Sequence, residues 1–288
     1  MKKLDSKALI TQLKVSQAIF RKIDKRATQQ VAESNNAIAT AGRYNKCLLP
    51  TSVALDDIHK MTTQIRAVFH ENTLPWGNDG TTMLPSKHYL TFMKMFRDMK
   101  EEWLQLVDKF IQEYPKLQSD SQRLLGDLYN PNDYPSVDEV ASKFGIDMVV
   151  MPVPSDDFRV GIDESELKNI QADVQQRVET QLQASKKELY KRLYEPVKHM
   201  ADRLADPSAI FRDTLTDNIT KVCDVLDNLN IDEDKNLESL RQEVETKLSN
   251  TQPEALRNDP HYRQDTCDSA KDIASRMNVF MEGLDGDS

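Results

Sequence analysis

Glycine is scarce in this chain, with eight in 288 residues, and aromatic side chains make up only 7%. With 39% hydrophobic and 30% charged residues, that composition fits a helical protein with more surface per core residue than a compact α/β enzyme. It is too apolar at periodic positions for wholesale disorder. Cysteine is also sparse. Cys47, Cys223 and Cys267 are an odd number without CxxC spacing, which argues against a disulfide framework and a zinc ribbon and fits a reducing cytoplasm. No stretch approaches the roughly 18 consecutive apolar residues of a membrane span. Lys7, Gln12 and Lys14 interrupt the only segment that begins like a leader.

Catalytic signatures are missing as well. The chain holds no phosphate-binding P-loop, no dinucleotide-binding GxGxxG, no zincin HExxH and no hydrolase GxSxG pattern. His59, His70, His88, His199 and His261 stand singly, without the companions a metal site needs. The acidic run Asp232-Glu233-Asp234 lacks the glycine and distal glutamate of a calcium loop and reads as an interhelical turn capping the Leu237 helix. Cys47 follows the basic stretch Arg43 to Lys46, which favours a thiolate, but Leu48-Leu49-Pro50 beside it suggests a packed cysteine instead. No catalytic residue, cofactor or metal ligand is therefore assigned.

What is present is charge asymmetry and helical periodicity. From Met200 to Ser288 there are 20 Asp/Glu against 10 Lys/Arg, so that third carries -10 of the chain's -9 and the first 199 residues carry +1. The spacing predicts a first helix over about Asp5 to Ser34, with a basic face that reads as solvated. A second helix follows Pro50. The segment Leu74 to Pro85, with two prolines and two glycines, predicts a loop. A Met- and aromatic-striped helix runs from Ser86 to about Tyr114, and Pro115 should end it. Ser136 with Glu139 makes a capping box. The runs Ile146 to Val153 and Phe158 to Ile162 around Pro154 to Asp157 predict a β-hairpin. From Glu164, Leu167, Ile170, Val174, Val178, Leu182, Leu189, Leu193, Val197, Met200 and Leu204 form a narrow coiled-coil-like stripe, with a kink expected at Pro196. Such a stripe wants an antiparallel partner, and the Tyr89 to Tyr114 helix is the candidate.

The fold expected is thus mainly α: an elongated bundle of long antiparallel helices with one small β-hairpin near the middle. Its segments are an N-terminal helix at 1–50, a long helical hairpin at 51–206 with the β-hairpin at about 146–162, and an acidic helical block at 207–288.

Thr73-Leu74-Pro75-Trp76 with the loop to Pro85, Asp157-Phe158-Arg159-Val160, and Phe211 to Leu248 together resemble an uncharacterised family of bacterial and bacteriophage proteins of unknown function. The resemblance covers about Leu55 to Leu248. Its members are often encoded near MoxR-like AAA+ ATPases and von Willebrand factor A-type proteins. This implies a non-enzymatic partner of such a machine, or of a host factor, in the host cytoplasm if phage-encoded. The family offers no catalytic residues to carry over.

The leading expectation is an interaction or adaptor protein whose partner meets Trp76, Phe158 and Arg159, residue types that dominate interface energetics. Homo-oligomerisation is left open, and no membrane partner is expected. The alternative is a nucleic-acid-associated protein using the basic N-terminal helix and Lys186, Lys187, Lys191 and Arg192, where Tyr190 and Tyr194 are interleaved.

Overall fold

A computed structural model describes residues 4–77, 79–154, 164–206, 208–209 and 213–286. The described elements are β1 (Ala8–Ser16), β2 (Arg21–Ile23), α1 (Lys25–Ser34), β3 (Asn45–Cys47), α2 (Val53–Glu71), β4 (Leu74–Pro75), β5 (Thr82–Pro85), α3 (Tyr89–Leu125), α4 (Val137–Ala141), β6 (Gly145–Pro152), α5 (Glu164–Ala205), α6 (Thr214–Leu229), α7 (Lys235–Val244), α8 (Pro253–Asn258) and α9 (Pro260–Gly286). The chain is mainly helical, with a four-stranded antiparallel sheet in the order β4-β5-β1-β6 and a small β2-β3 hairpin. No helix among the described residues is long and apolar enough to cross a membrane.

Several expectations are corrected. The segment expected as one N-terminal helix forms β1, β2 and the short α1 instead. Ile10 and Leu13 satisfy a helical spacing, but Ile10, Thr11 and Val15 are β-branched, and Ala8 to Thr11 find antiparallel partners in Pro85 to Thr82, over seventy residues away. The buried Thr11 and Thr82 hydroxyls lock that register at 2.9 Å. The Leu74 to Pro85 loop is itself a hairpin, β4-β5, with Leu74 opposite Met83 and positive φ at Gly77 and Gly80 in its turn. The first arm of the hairpin expected at 146–162 is β6, which lies beside β1 in the larger sheet; its second arm lies outside the described residues. Neither proline stops its helix: α3 passes through Pro115 and α5 through Pro196.

The chain forms two compact units. The first comprises Met1–Gln12, Phe69–Phe92 and Val149–Ser288. Its core is built from the covered faces of α5, α6, α7 and α9, with Leu193, Val197, Met200, Ile219, Val244, Ile273 and Met277 among the side chains fully withdrawn from solvent. The Asn230 to Asp234 turn behaves as its sequence suggests: the Asp234 carboxylate accepts from the Asn236 and Leu237 amides and starts α7.

The second unit comprises Leu13–Val68 and Met93–Met148. Aromatic rings fill it, with Phe20 edge-on to Phe110 at 5.5 Å and Phe110 edge-on to Phe144 at 5.6 Å. Buried Thr62 accepts from the Trp103 indole at 2.8 Å and donates to the Ile58 carbonyl, so one hydroxyl ties α3 to α2. The capping box of Ser136 and Glu139 forms as expected at the start of α4. The alternation of β3 buries Lys46 and leaves Cys47 exposed, which reverses the packing expected of that cysteine.

Candidate interaction site on the long helix

The 42 residues of α5 span about 63 Å at the α-helical rise. Its antiparallel partner is α9, whereas spacing alone suggests the Tyr89 to Tyr114 helix. Three contacts fix the register: the Arg263 guanidinium donates to the Leu204 carbonyl at 3.0 Å, the Cys267 thiol to the Ala201 carbonyl at 3.5 Å, and the Phe280 ring stacks on Tyr190 at 5.8 Å. At that register the end of α9, at Gly286, comes level with Ala184 or thereabouts. The first twenty residues or so of α5 lie beyond it.

Burial follows that geometry. From Ser185 onward the stripe is covered, with Leu189, Leu193, Val197, Met200 and Leu204 all buried. From Ser165 to Ala184 no side chain reaches burial, and Leu167, Ile170, Val174 and Val178 remain half-exposed at spacings of three, four and four. A hydrophobic seam of that spacing is what a partner helix packs against.

The hairpin tip that carries Trp76 meets α5 where cover begins. The Gly77 amide donates to the Gln181 side chain at 2.9 Å, and the Ser185 hydroxyl donates to the Pro75 carbonyl at 2.9 Å. Inside the turn, Asp79 accepts from the Thr81 amide and hydroxyl, and these bonds hold its carboxyl below the usual range. Trp76 is half-buried against the core of this unit. Phe158 and Arg159 lie outside the described residues.

The cations proposed for nucleic acid are partly spent inside the protein. Lys186 pairs with Asp234 at 2.9 Å. Arg192 donates to the Glu71 and Thr73 carbonyls at 3.0 and 2.9 Å and to the Glu188 carboxylate at 3.1 Å, closing the open end of α2. Lys187 also has an interaction of its own. Lys191 is exposed. Arg192 lines a cleft of about 610 Å³ with His70, Glu71, Lys221, Val222 and Val225. Val222 and Val225 of this cleft lie on the apolar side of α6. The available signal was excess width, because these two valines flank the buried line of Leu215, Ile219, Leu226 and Leu229.

Buried titratable groups elsewhere are committed to structure. Burial pushes Asp133 up, but hydrogen bonds and charge from Lys22 and Lys46 outweigh it and hold the carboxyl below its usual range. Burial lowers His88, with Lys87 adding to the effect, while its ring bonds to Asn72 at 2.8 Å. Burial pushes the Cys223 thiol up to about 11, away from a reactive thiolate. Among the described residues no group of three His, Cys, Asp or Glu side chains is placed to hold a metal ion. No protein-family model matches the chain, and no curated protein or solved structure matches it either.

Proposed function

We propose that this chain is a non-enzymatic interaction protein that holds a partner helix along the half of α5 that α9 does not reach. The observation that carries this reading is the apolar seam of Leu167, Ile170, Val174 and Val178 running beyond the end of α9. A seam of four apolar side chains at heptad-like spacing gains stability by burying itself, and the rest of α5 has already done so on α9 and α6. Trp76 sits between Pro75 and Gly77, whose backbones bond to Ser185 and Gln181 of α5 where the seam begins, and it supplies an aromatic side chain near that end. The family resemblance supplies the partner class: an AAA+ ATPase or a host protein, with a second copy of the chain as the homo-oligomeric form. The nucleic-acid alternative is the weaker proposal, since Lys186 and Arg192 are engaged inside the protein.

The test is a photo-crosslinking residue at Val174 in the chain expressed in its own host, with the same residue at exposed Lys191 as control. One dominant protein should be captured from position 174, and Ile170→Asp should abolish the adduct without altering helicity. Equal capture from both positions, or none from Val174, would sink the reading. Mass spectrometry of the adduct then separates an ATPase, another host protein and a second copy. Trp76→Ala should weaken the same adduct.

A further inference from the structure

Of the thirteen large hydrophobic side chains exposed among the described residues, five fall between Ile19 and Tyr44, in the other compact unit. Three of them, Val31, Ile38 and Tyr44, line one groove of about 320 Å³ together with buried Ala32 and exposed Ala37. Ile38 is 74% exposed. The groove exists because the chain after α1 turns back along it: the Tyr44 amide donates to the Thr28 hydroxyl at 3.0 Å, and the Asp24 amide donates to the Tyr44 carbonyl at 2.9 Å.

Its charge is one-sided. Arg21, Lys25, Arg26 and Arg43 are exposed and make no ion pair among the described residues, and Arg43 forms part of the groove wall. Lys25 lies three residues before Thr28 and seven before Ala32, so it shares the helix face that lines the groove. Of the two acidic residues nearby, Asp24 pairs with Lys46 at 3.1 Å, and Glu33, which accepts from the Gln29 amide at 2.7 Å and keeps its charge, is not among the side chains lining the groove.

We propose that this groove docks an acidic amphipathic peptide segment of another protein, its apolar side chains between Val31, Ile38 and Tyr44 and its carboxylates on Lys25 and Arg43. An apolar groove with Arg43 in its wall and Lys25 on the same face of α1 is complementary in both shape and sign to such a segment. A nucleic-acid backbone would use the cations but leave the three apolar side chains in water, and a flat anionic lipid surface would not fill a concave site. This surface lies on a different unit from the α5 seam, so the two readings stand or fall separately. An adaptor with both has a surface for each of two partners.

The test is selection of a displayed random-sequence peptide library on the full chain, with Ile38→Asp and Lys25→Glu/Arg43→Glu chains alongside. Ile38, Lys25 and Arg43 are exposed, so these chains should fold. Enriched peptides should place large apolar residues at helical spacing among Asp and Glu. Their affinity should fall about tenfold with Ile38→Asp, the scale of losing one buried anchor. It should also fall with the charge-reversed chain and with added salt. Failure to enrich peptides, enrichment of neutral or basic ones, or affinity indifferent to these substitutions overturns the proposal. So does tighter binding, at the same side chains, of a single-stranded oligonucleotide or of phosphatidylserine vesicles. Unchanged crosslinking from Val174 in the Ile38→Asp chain keeps this test distinct from the one on α5.

Discussion

The two halves of α5 carry the same pattern and have opposite fates. Leu189, Leu193, Val197, Met200 and Leu204 are buried, while Leu167, Ile170, Val174 and Val178, at equivalent spacing, are not. The difference lies in α9, which reaches the first group and ends before the second. Periodicity records which face of a helix is apolar; the length of the neighbour decides whether that face is core or surface. The burial free energy of the stripe is consequently realised in full over one half of α5 and only in part over the other.

The largest expected effect breaks the symmetry of that pattern directly. Leu193→Ala, in the covered half, should cost about 3 kcal/mol, the range for truncating a fully buried leucine. Val174→Ala, in the uncovered half, should cost less than about 0.5 kcal/mol, as surface substitutions do. Urea unfolding of the two variants measures both. Equal costs would mean that the first half of α5 is covered after all, and the interaction reading would lose its basis.

Much of this was legible in the sequence, though unevenly. The α5 stripe, the Ser136 capping box and the Asp234 turn could be read because each is a local pattern whose partners lie within a few residues. The β1 strand could not, since Ile10 and Leu13 suit either period and only pairing with Leu84 and Met83 decides between them. Pro115 looked like a helix end and Pro196 like a kink because proline removes an amide donor, yet each helix continues across its proline, with Tyr114 buried beside the first and Val197 beside the second. The site was half legible. Val174 and Val178 were in the stripe, but what covers a stripe is a tertiary fact. Lys186 and Arg192 looked like free cations because their acceptors, Asp234 and the Glu71 and Thr73 carbonyls, are between 48 and 121 residues away in the chain.

Arg192 sharpens the comparison at the next level of magnitude. It belongs to the covered half, and its guanidinium serves three acceptors at once. Arg192→Ala should cost about 2 kcal/mol, as loss of charged hydrogen bonds does, and Arg192→Lys should recover only part of it because an ammonium cannot fork across two carbonyls. The corresponding change in the uncovered half, Arg177→Ala at an exposed position, should be near neutral. Thermal unfolding in matched buffers reads the difference. A neutral Arg192→Ala would remove the closure of α2 as a source of order in this unit.

The smallest effect is a pH dependence belonging to the covered half. Asp234 receives Lys186 and the Tyr190 hydroxyl from α5. Burial alone would raise its carboxyl, but the Lys186 hydrogen bond and the Leu237 amide outweigh that and hold it below the usual carboxylate range. A carboxyl depressed in the folded state binds protons less readily there than in the unfolded chain. Its stabilising contribution is therefore complete above about pH 5, begins to decline near the unfolded value of about 4, and is lost as pH falls through the folded value. Asp234→Asn keeps a helix-capping side chain and discards the charge, so it should cost about 1 kcal/mol at neutral pH. Its stability should also fall less steeply between pH 5 and pH 3, by the same order. Unfolding midpoints of the two chains across that range should converge on acidification. Parallel curves would show that Lys186 contributes nothing through Asp234, and would return that lysine to the exposed cations of α5 from which the nucleic-acid alternative was built.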